Sequence, residues 1–212
     1  MASVVSLNVV HVTIPDVGGS VGITAIDKRA VTDSRLVTTD GVAGDKRCDT
    51  ESHGHPDQAV YAYSKEDYSW WESQLGMQLA PGVFGDNLTT QGIDWTTIPA
   101  GTILRVGNAT LQVTYPRIPC GTFTRWLELE HWVKRFTDAG RSGAYLRVLE
   151  PGEITHGDEI TIVERPTHDV TIQDLFEVYN GSRDHDQLQR VVQCADTSEK
   201  IREKARKALS LQ

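Results

Sequence analysis

Alternation of apolar and polar side chains is clearest between Ala109 and Tyr115. There Leu111, Val113 and Tyr115 fall on one side and Thr110, Gln112 and Thr114 on the other, the period of a half-buried strand. Thr102 to Val106 precedes this run across Gly107-Asn108, a dipeptide suited to a tight turn, so the pair predicts a hairpin. Further short runs predict strands over Val4 to Ile14, over Val21 to Asp27 beyond the Gly18-Gly19 turn, and over Ala59 to Tyr63, Gly143 to Glu150 and Glu159 to Val163. The period becomes helical in two places. Ser64 can cap a helix that carries Tyr68, Trp71 and Leu75 on one face before Gly76. Trp126, Leu129, Trp132, Val133 and Phe136 recur at helical spacing until Gly140, with Thr122 or Thr124 as the N-cap. Few helices among many short, irregularly spaced strands predict a mainly β fold with helices, a closed or partly closed β-barrel rather than a parallel α/β sheet.

After Pro166 three helices are predicted, over Thr171 to Asn180, Asp184 to Cys194 and Ser198 to Leu209, giving a barrel domain at 1–166 and a three-helix module at 167–212. A helix-turn-helix reader of DNA would need a basic face, yet the module holds seven Lys and Arg against eight Asp and Glu. The whole chain carries a formal charge of -8, so no nucleic-acid partner is expected. No apolar run reaches membrane-spanning length, and the start lacks the basic flank and cleavage pattern of a secretion signal, so a cytoplasmic protein with no membrane partner is expected. Cys48, Cys120 and Cys194 are odd in number and widely spaced, which suits reduced thiols and no disulfide framework.

Cys120 is the residue with the most chemical promise. It ends Tyr115-Pro116-Arg117-Ile118-Pro119-Cys120, between a strand and a helix start, where two prolines fix the backbone. Unpaired N–H groups at the helix start and the charge of Arg117 both suit a thiolate, the form that attacks electrophiles or ligates a soft metal. The alternative is a small buried residue that packs like an apolar one. A second concentration of polar side chains runs from Gly44 to Ala59 and contains Lys46, Cys48, His53, His55 and Asp57. Cys48, His53 and His55 are of zinc-ligand type, but neighbours along an extended chain diverge rather than converge on one ion. Cys120 with His53 could also form a hydrolase pair, although no third, orienting residue stands out. The third is Gly82 to Gly92, where glycines around Asn87, Thr89 and Thr90 either admit an anionic or heteroaromatic ligand or mark a bulged strand. It is neither a Walker loop nor a dinucleotide fingerprint.

In order, Gly44-Asp45-Lys46, His53-Gly54-x-Pro56-Asp57-x-Ala59, Gly85-Asp86-Asn87-Leu88-Thr89 and Pro116-Arg117-x-Pro119-Cys120 resemble the motifs of the MOSC family, the C-terminal domain of molybdenum cofactor sulfurases. The match is nearest to its stand-alone, YiiM-like branch, which also carries a three-helix C-terminal extension. The resemblance implies a MOSC-type β-barrel, a molybdenum–pterin cofactor (molybdopterin, in free or nucleotide form) and Cys120 as the molybdenum ligand. It further implies an oxidoreductase that reduces N-hydroxylated compounds, such as N-hydroxylated purine bases, to amines, with electrons from a separate donor protein. Lys46, Asn87, Thr89 and Arg117 are then the candidates for holding the cofactor, and His53 and Asp57, beside Cys120, for shaping the site or handling protons. The C-terminal module becomes a candidate for homodimer contacts or for docking the electron donor. A sulfur carrier using a Cys120 persulfide, without small-molecule turnover, is the competing reading, and a thiol-only enzyme without metal is a third. One departure stands out: the branch has Gly-Gly after its histidine, and this chain has Gly54-His55.

Overall fold

A computed structural model describes residues 1–211, without the side chains of Ser52 and His53. Strand β1 (Ala2–Val10) is followed by a two-residue-strand hairpin, β2 (Ile14–Pro15) and β3 (Ile23–Thr24), and by β4 (Lys28–Val31), β5 (Arg35–Thr38) and β6 (Gly41–Val42). A single turn α1 (Thr50–His53) and a 3-10 turn (Pro56–Gln58) lead to β7 (Val60–Ser64), helix α2 (Lys65–Leu75) and β8 (Leu88–Gln91). The predicted hairpin is present as β9 (Ile103–Val106) and β10 (Ala109–Pro116), followed by α3 (Gly121–Leu127) and α4 (Trp132–Ala139). Strands β11 (Ala144–Glu150), β12 (Gly152–Ile154) and β13 (Glu159–Glu164) precede the final helices α5 (Ile172–Tyr179), α6 (His185–Gln193) and α7 (Glu199–Leu209).

Seven strands close into a barrel in the order β13-β9-β10-β11-β7-β8-β1, and β1 returns to β13 through Ala2↔Ile160 and Ser3↔Glu159. Among the described residues only β7 and β8 pair in parallel; the connection between them holds helix α2, which lets the chain come back in the same direction. The mainly β, barrel-like expectation is met. Alternation on β10 is nevertheless hidden in the burial, because both its faces are covered. The 3-10 turn and α5 both pack against the strand, and the Thr114 hydroxyl lies within hydrogen-bond reach of the carbonyls of Asp57 (2.5 Å) and Tyr145 (2.9 Å).

Of the two readings open for the glycine-rich 82–92 segment, a strand is present at Leu88–Gln91, within the barrel. Other expectations change. The first strand ends at Val10, and Val21 to Asp27 supplies only Ile23–Thr24. The single helix expected around Trp126 to Phe136 is broken in two, with Glu128 (φ 55°) and His131 (φ 56°) both left-handed. Packing explains the break. Phe123 and Trp132 are nine residues apart, which on an unbroken helix puts them on opposite faces at roughly 100° per residue. Both are fully buried, with rings 5.4 Å apart, in the cluster that also holds Trp71, Phe84 and Phe136.

The C-terminal helices share the barrel's hydrophobic cluster through Val170, Ile172, Leu175 and Phe176. Backbone bonds Ala100 N–H to Val170 O and Ile172 N–H to Ile98 O, each 3.0 Å, tie the entry of α5 to the barrel. As expected, Ser64 caps α2, its Oγ accepting from the Asp67 N–H at 3.0 Å, and α5 starts on a reciprocal capping box of Thr171 with Asp174. Among the described residues no helix is long and apolar enough to cross a membrane.

Candidate functional site

Strand β10 carries the chain to Pro116, and the next four residues put Arg117 and Cys120 on a cavity of about 550 Å³ at one end of the barrel. Cys120 is half-buried and is itself the N-cap of α3, in extended conformation, with its carbonyl accepting from the Phe123 and Thr124 N–H groups. Neither Thr122 nor Thr124 caps. Thr122 instead donates to Asp16 Oδ2 at 2.7 Å, and the Arg125 guanidinium grips the same carboxylate at 2.5 and 3.0 Å. Asp16, at the end of β2, thus pins the β2–β3 hairpin across the first turn of α3. That grip explains two glycines: a Cβ at Gly19 would sit 2.3 Å from Asp16 Oδ2, and one at Gly121 2.8 Å from Arg125 Nη1.

Hydrogen bonding by Arg125 holds the Asp16 carboxyl below the usual aspartate range, against the opposing pull of burial. A lowered folded-state pKa stabilises the protein above the ordinary aspartate pKa, and the contribution is lost as pH falls through the lowered value. Asp16→Asn is therefore expected to lower the melting temperature at neutral pH and to speed amide exchange over residues 16–24. The gap from wild type should close in acid; a gap that is unchanged at low pH would show that the carboxylate is not the source.

Arg117 is only 8% exposed, and its guanidinium lies 5.2 Å from the Tyr61 ring centroid and 4.4 Å from that of Phe123. Its Nε is buried without a hydrogen-bond partner. Burial alone would weaken its charge, but nearby Tyr145, Tyr61 and Cys120 more than compensate, so the guanidinium stays cationic. Burial also pushes the phenols of Tyr61 and Tyr145 up, Arg117 opposing in part, so both keep their protons. These tyrosines come from neighbouring strands in matched register, Tyr115↔Tyr145 on β10 and β11 and Tyr145↔Tyr61 on β11 and β7. Close approach of β11 to β7 depends on Gly143 (φ 62°), where a Cβ would stand 2.5 Å from the Ala62 carbonyl.

The opposite wall is built around Asp45. It accepts from Lys28 Nζ at 2.5 Å, from Asn87 Nδ2 at 2.8 Å and, through Oδ1, from the Val10 N–H at 2.9 Å. Asn87 lines the cavity, but its amide is engaged with the scaffold, its Oδ1 accepting from the Tyr61 N–H at 3.2 Å. Lys46 is exposed at the rim. Around the cavity stand Lys28, Lys46, Arg47, Arg117, Arg125 and Lys200 against Asp16, Asp45 and Asp49, a local cationic excess on an acidic chain. That balance attracts anions.

Two expected site residues lie elsewhere. Thr89 is buried in a network in which its hydroxyl donates to Asp86 Oδ2 (2.6 Å) and accepts from Asn8 Nδ2 (3.0 Å), away from the cavity. Asp57 is held by Arg147, whose Nε is 2.7 Å away, so it braces the 3-10 turn against β11. The His55 Nδ1 accepts from the Asp57 N–H at 3.2 Å and caps that turn, on the outside of the cavity lining. The His53 side chain lies outside the described residues. Lys28, Asp16, Arg125, Tyr61 and Tyr145 were not singled out from the sequence, since their meeting depends on strand register and long-range pairing. A larger cavity of about 790 Å³, between Ser64, Asp94 and Arg141, contains neither cysteine nor histidine, and its Arg141 is paired with Asp67.

A closed barrel with helices and a cysteine-bearing, cation-lined cavity at its end defines the class as mainly β. Residues 49–161 match the MOSC domain family, and the chain belongs to that family. It is 30% identical to YiiM of Escherichia coli over 82% of this chain and 79% of the relative. A protein of Gibberella moniliformis named a reductase is 32% identical over 59% of this chain and 23% of its own length. The crystal structure of YiiM from Geobacillus stearothermophilus superposes with a TM-score of 0.81 at 27% identity, covering 99% of this chain and all of that one. The likeness spans barrel and C-terminal helices alike, so the fold is YiiM-like throughout.

Proposed function

We propose that the protein holds a molybdenum–pterin cofactor in the Cys120 cavity and reduces N-hydroxylated small molecules to amines. The observation that carries this reading is Arg117, a buried cation with an orphaned Nε beside Cys120. Leaving such a donor unmatched is costly, so the position suits an anionic acceptor brought in from outside the chain. The donor set fits the group: Arg117 and Lys46 would hold its phosphate, the tyrosine wall its ring system, and the soft sulfur of Cys120 its metal, while Asn87, its amide spent on the scaffold, would shape the pocket without donating. When bound, the cofactor supplies the two-electron redox step.

The chain's own residues supply the rest. Tyr145 keeps a phenolic proton at the cavity, a donor for the water that leaves as the N–O bond of the substrate breaks. The Asp16 grip on Thr122 and Arg125 fixes the turn that presents Cys120, and the Lys28–Asp45–Asn87 chain fixes the opposite rim. Two electrons and two protons balance the conversion of R–NH–OH to R–NH2 and water, the electrons coming from a separate donor protein. Membership of the MOSC family and the reductase named among its relatives support the reading. The three unpaired cysteines suit the reducing conditions of the cytoplasm.

Protein expressed in a host that makes the cofactor is expected to carry about one molybdenum per chain by elemental analysis and to reduce hydroxylamines with an artificial electron donor. Full activity after molybdenum depletion would overturn the reading. Labile sulfur on Cys120 without any reduction would point to the sulfur carrier instead.

A further inference from the structure

We infer that the C-terminal helices supply the residue that selects planar substrates, Tyr179, the last residue of α5; the inference rests on the reduction proposed above for the same cavity. Tyr61, Tyr145 and Tyr115 form a row across three adjacent barrel strands, with the Tyr61 and Tyr145 rings 5.0 Å apart. Tyr179 extends the row from outside the barrel, its ring 6.4 Å from that of Tyr115 and nearly perpendicular to it, at 78°. Both line the cavity.

Helix α5 buries Ile172, Leu175, Phe176 and Val178, whereas Tyr179 packs only against the margin of that core and stays partly exposed. Helix α7 holds it from the other side. Lys204 Nζ lies 4.0 Å from the ring centroid and donates to the Tyr179 carbonyl at 3.1 Å, and Lys200 Nζ, which also lines the cavity, lies 5.5 Å from the ring. A ring braced from two elements and still open to the cavity is a stacking surface for a flat heteroaromatic molecule. A small hydroxylamine has no face to offer it. Tyr179 therefore sets the preference for planar N-hydroxylated substrates over small ones.

The test uses cofactor-loaded protein and 2-aminopurine, a planar base that is not reduced and whose fluorescence is quenched on stacking. Wild type should quench it saturably, Tyr179→Leu should weaken binding about tenfold, and Tyr179→Phe should stay within about twofold of wild type. In turnover, Tyr179→Leu should lower the ratio of kcat/KM for 6-N-hydroxylaminopurine to that for hydroxylamine by about tenfold, through KM for the purine. Thermal melting checks the fold, and Tyr179→Gln gives the same reading should the leucine variant melt early. Unchanged 2-aminopurine binding in both ring-less variants would overturn the inference. So would a wild-type protein that reduces hydroxylamine but never binds the base, a result that leaves the reductase reading standing. Tyr179-dependent base binding without any reduction would instead sink the reductase reading and keep the stacking surface.

Discussion

Cys120→Ser is expected to abolish molybdenum retention and reductase activity while leaving the fold intact or slightly firmer. Cys120 occupies the N-cap of α3 without making a side-chain cap bond. Serine is among the favoured residues at that position, so the exchange should add about 0.5 kcal/mol through a new bond to an N–H of the first turn. Elemental analysis together with thermal melting separates the two effects. A serine variant that still holds molybdenum and still turns over would remove Cys120 from the ligand role.

Arg117→Met should split function from stability in the same direction. Loss of a buried, charge-assisted donor is expected to weaken cofactor binding by about thirtyfold or more. The cofactor-free protein should melt at the same temperature as wild type or higher. Methionine fills much of the same volume between Tyr61 and Phe123, and the exchange removes both a buried charge and the unpaired Nε. Arg117→Lys should not restore binding, because an ammonium lacks the planar fork. A large drop in the melting temperature of the cofactor-free methionine variant would instead assign Arg117 to the scaffold.

The parts of the molecule legible in the sequence are those governed by local rules. The β9–β10 hairpin shows in its alternation and turn dipeptide, α2 in its serine cap and terminal glycine, and the presentation of Cys120 in the strand–proline–helix order. Strands β4 to β6 and β12 are two to four residues long, so they leave little period to detect. The break between α3 and α4 had a faint signal, since Phe123 is out of phase with Trp132, but the apolar positions from Trp126 to Phe136 read as one helix. Of the candidate site residues, Arg117 and Cys120 line the cavity and Asp57 and Thr89 do not. Those two are polar residues in suggestive motifs whose groups are engaged by Arg147 and by Asp86 with Asn8. The tyrosine row is invisible without strand register, which no local pattern specifies when both faces of β10 are covered.

The pairing of β1 with β13 has a consequence for how the chain matures. Strand β1 lies inside the sheet, with β8 along one edge and, along the other, β4 against residues 7–10 and β13 against Ala2 and Ser3, and β13 is not complete until Glu164 has emerged. Until then the Ala2 and Ser3 end of that edge is an open template for the wrong neighbour. Assembly is thereby slow and dependent on distant partners, and the last step of zipping, through Ala2 and Ser3, joins the two ends of the barrel's sequence. Bulky fusions ahead of Met1 should hinder that final seam more than equal additions behind α7, where the helices have already docked.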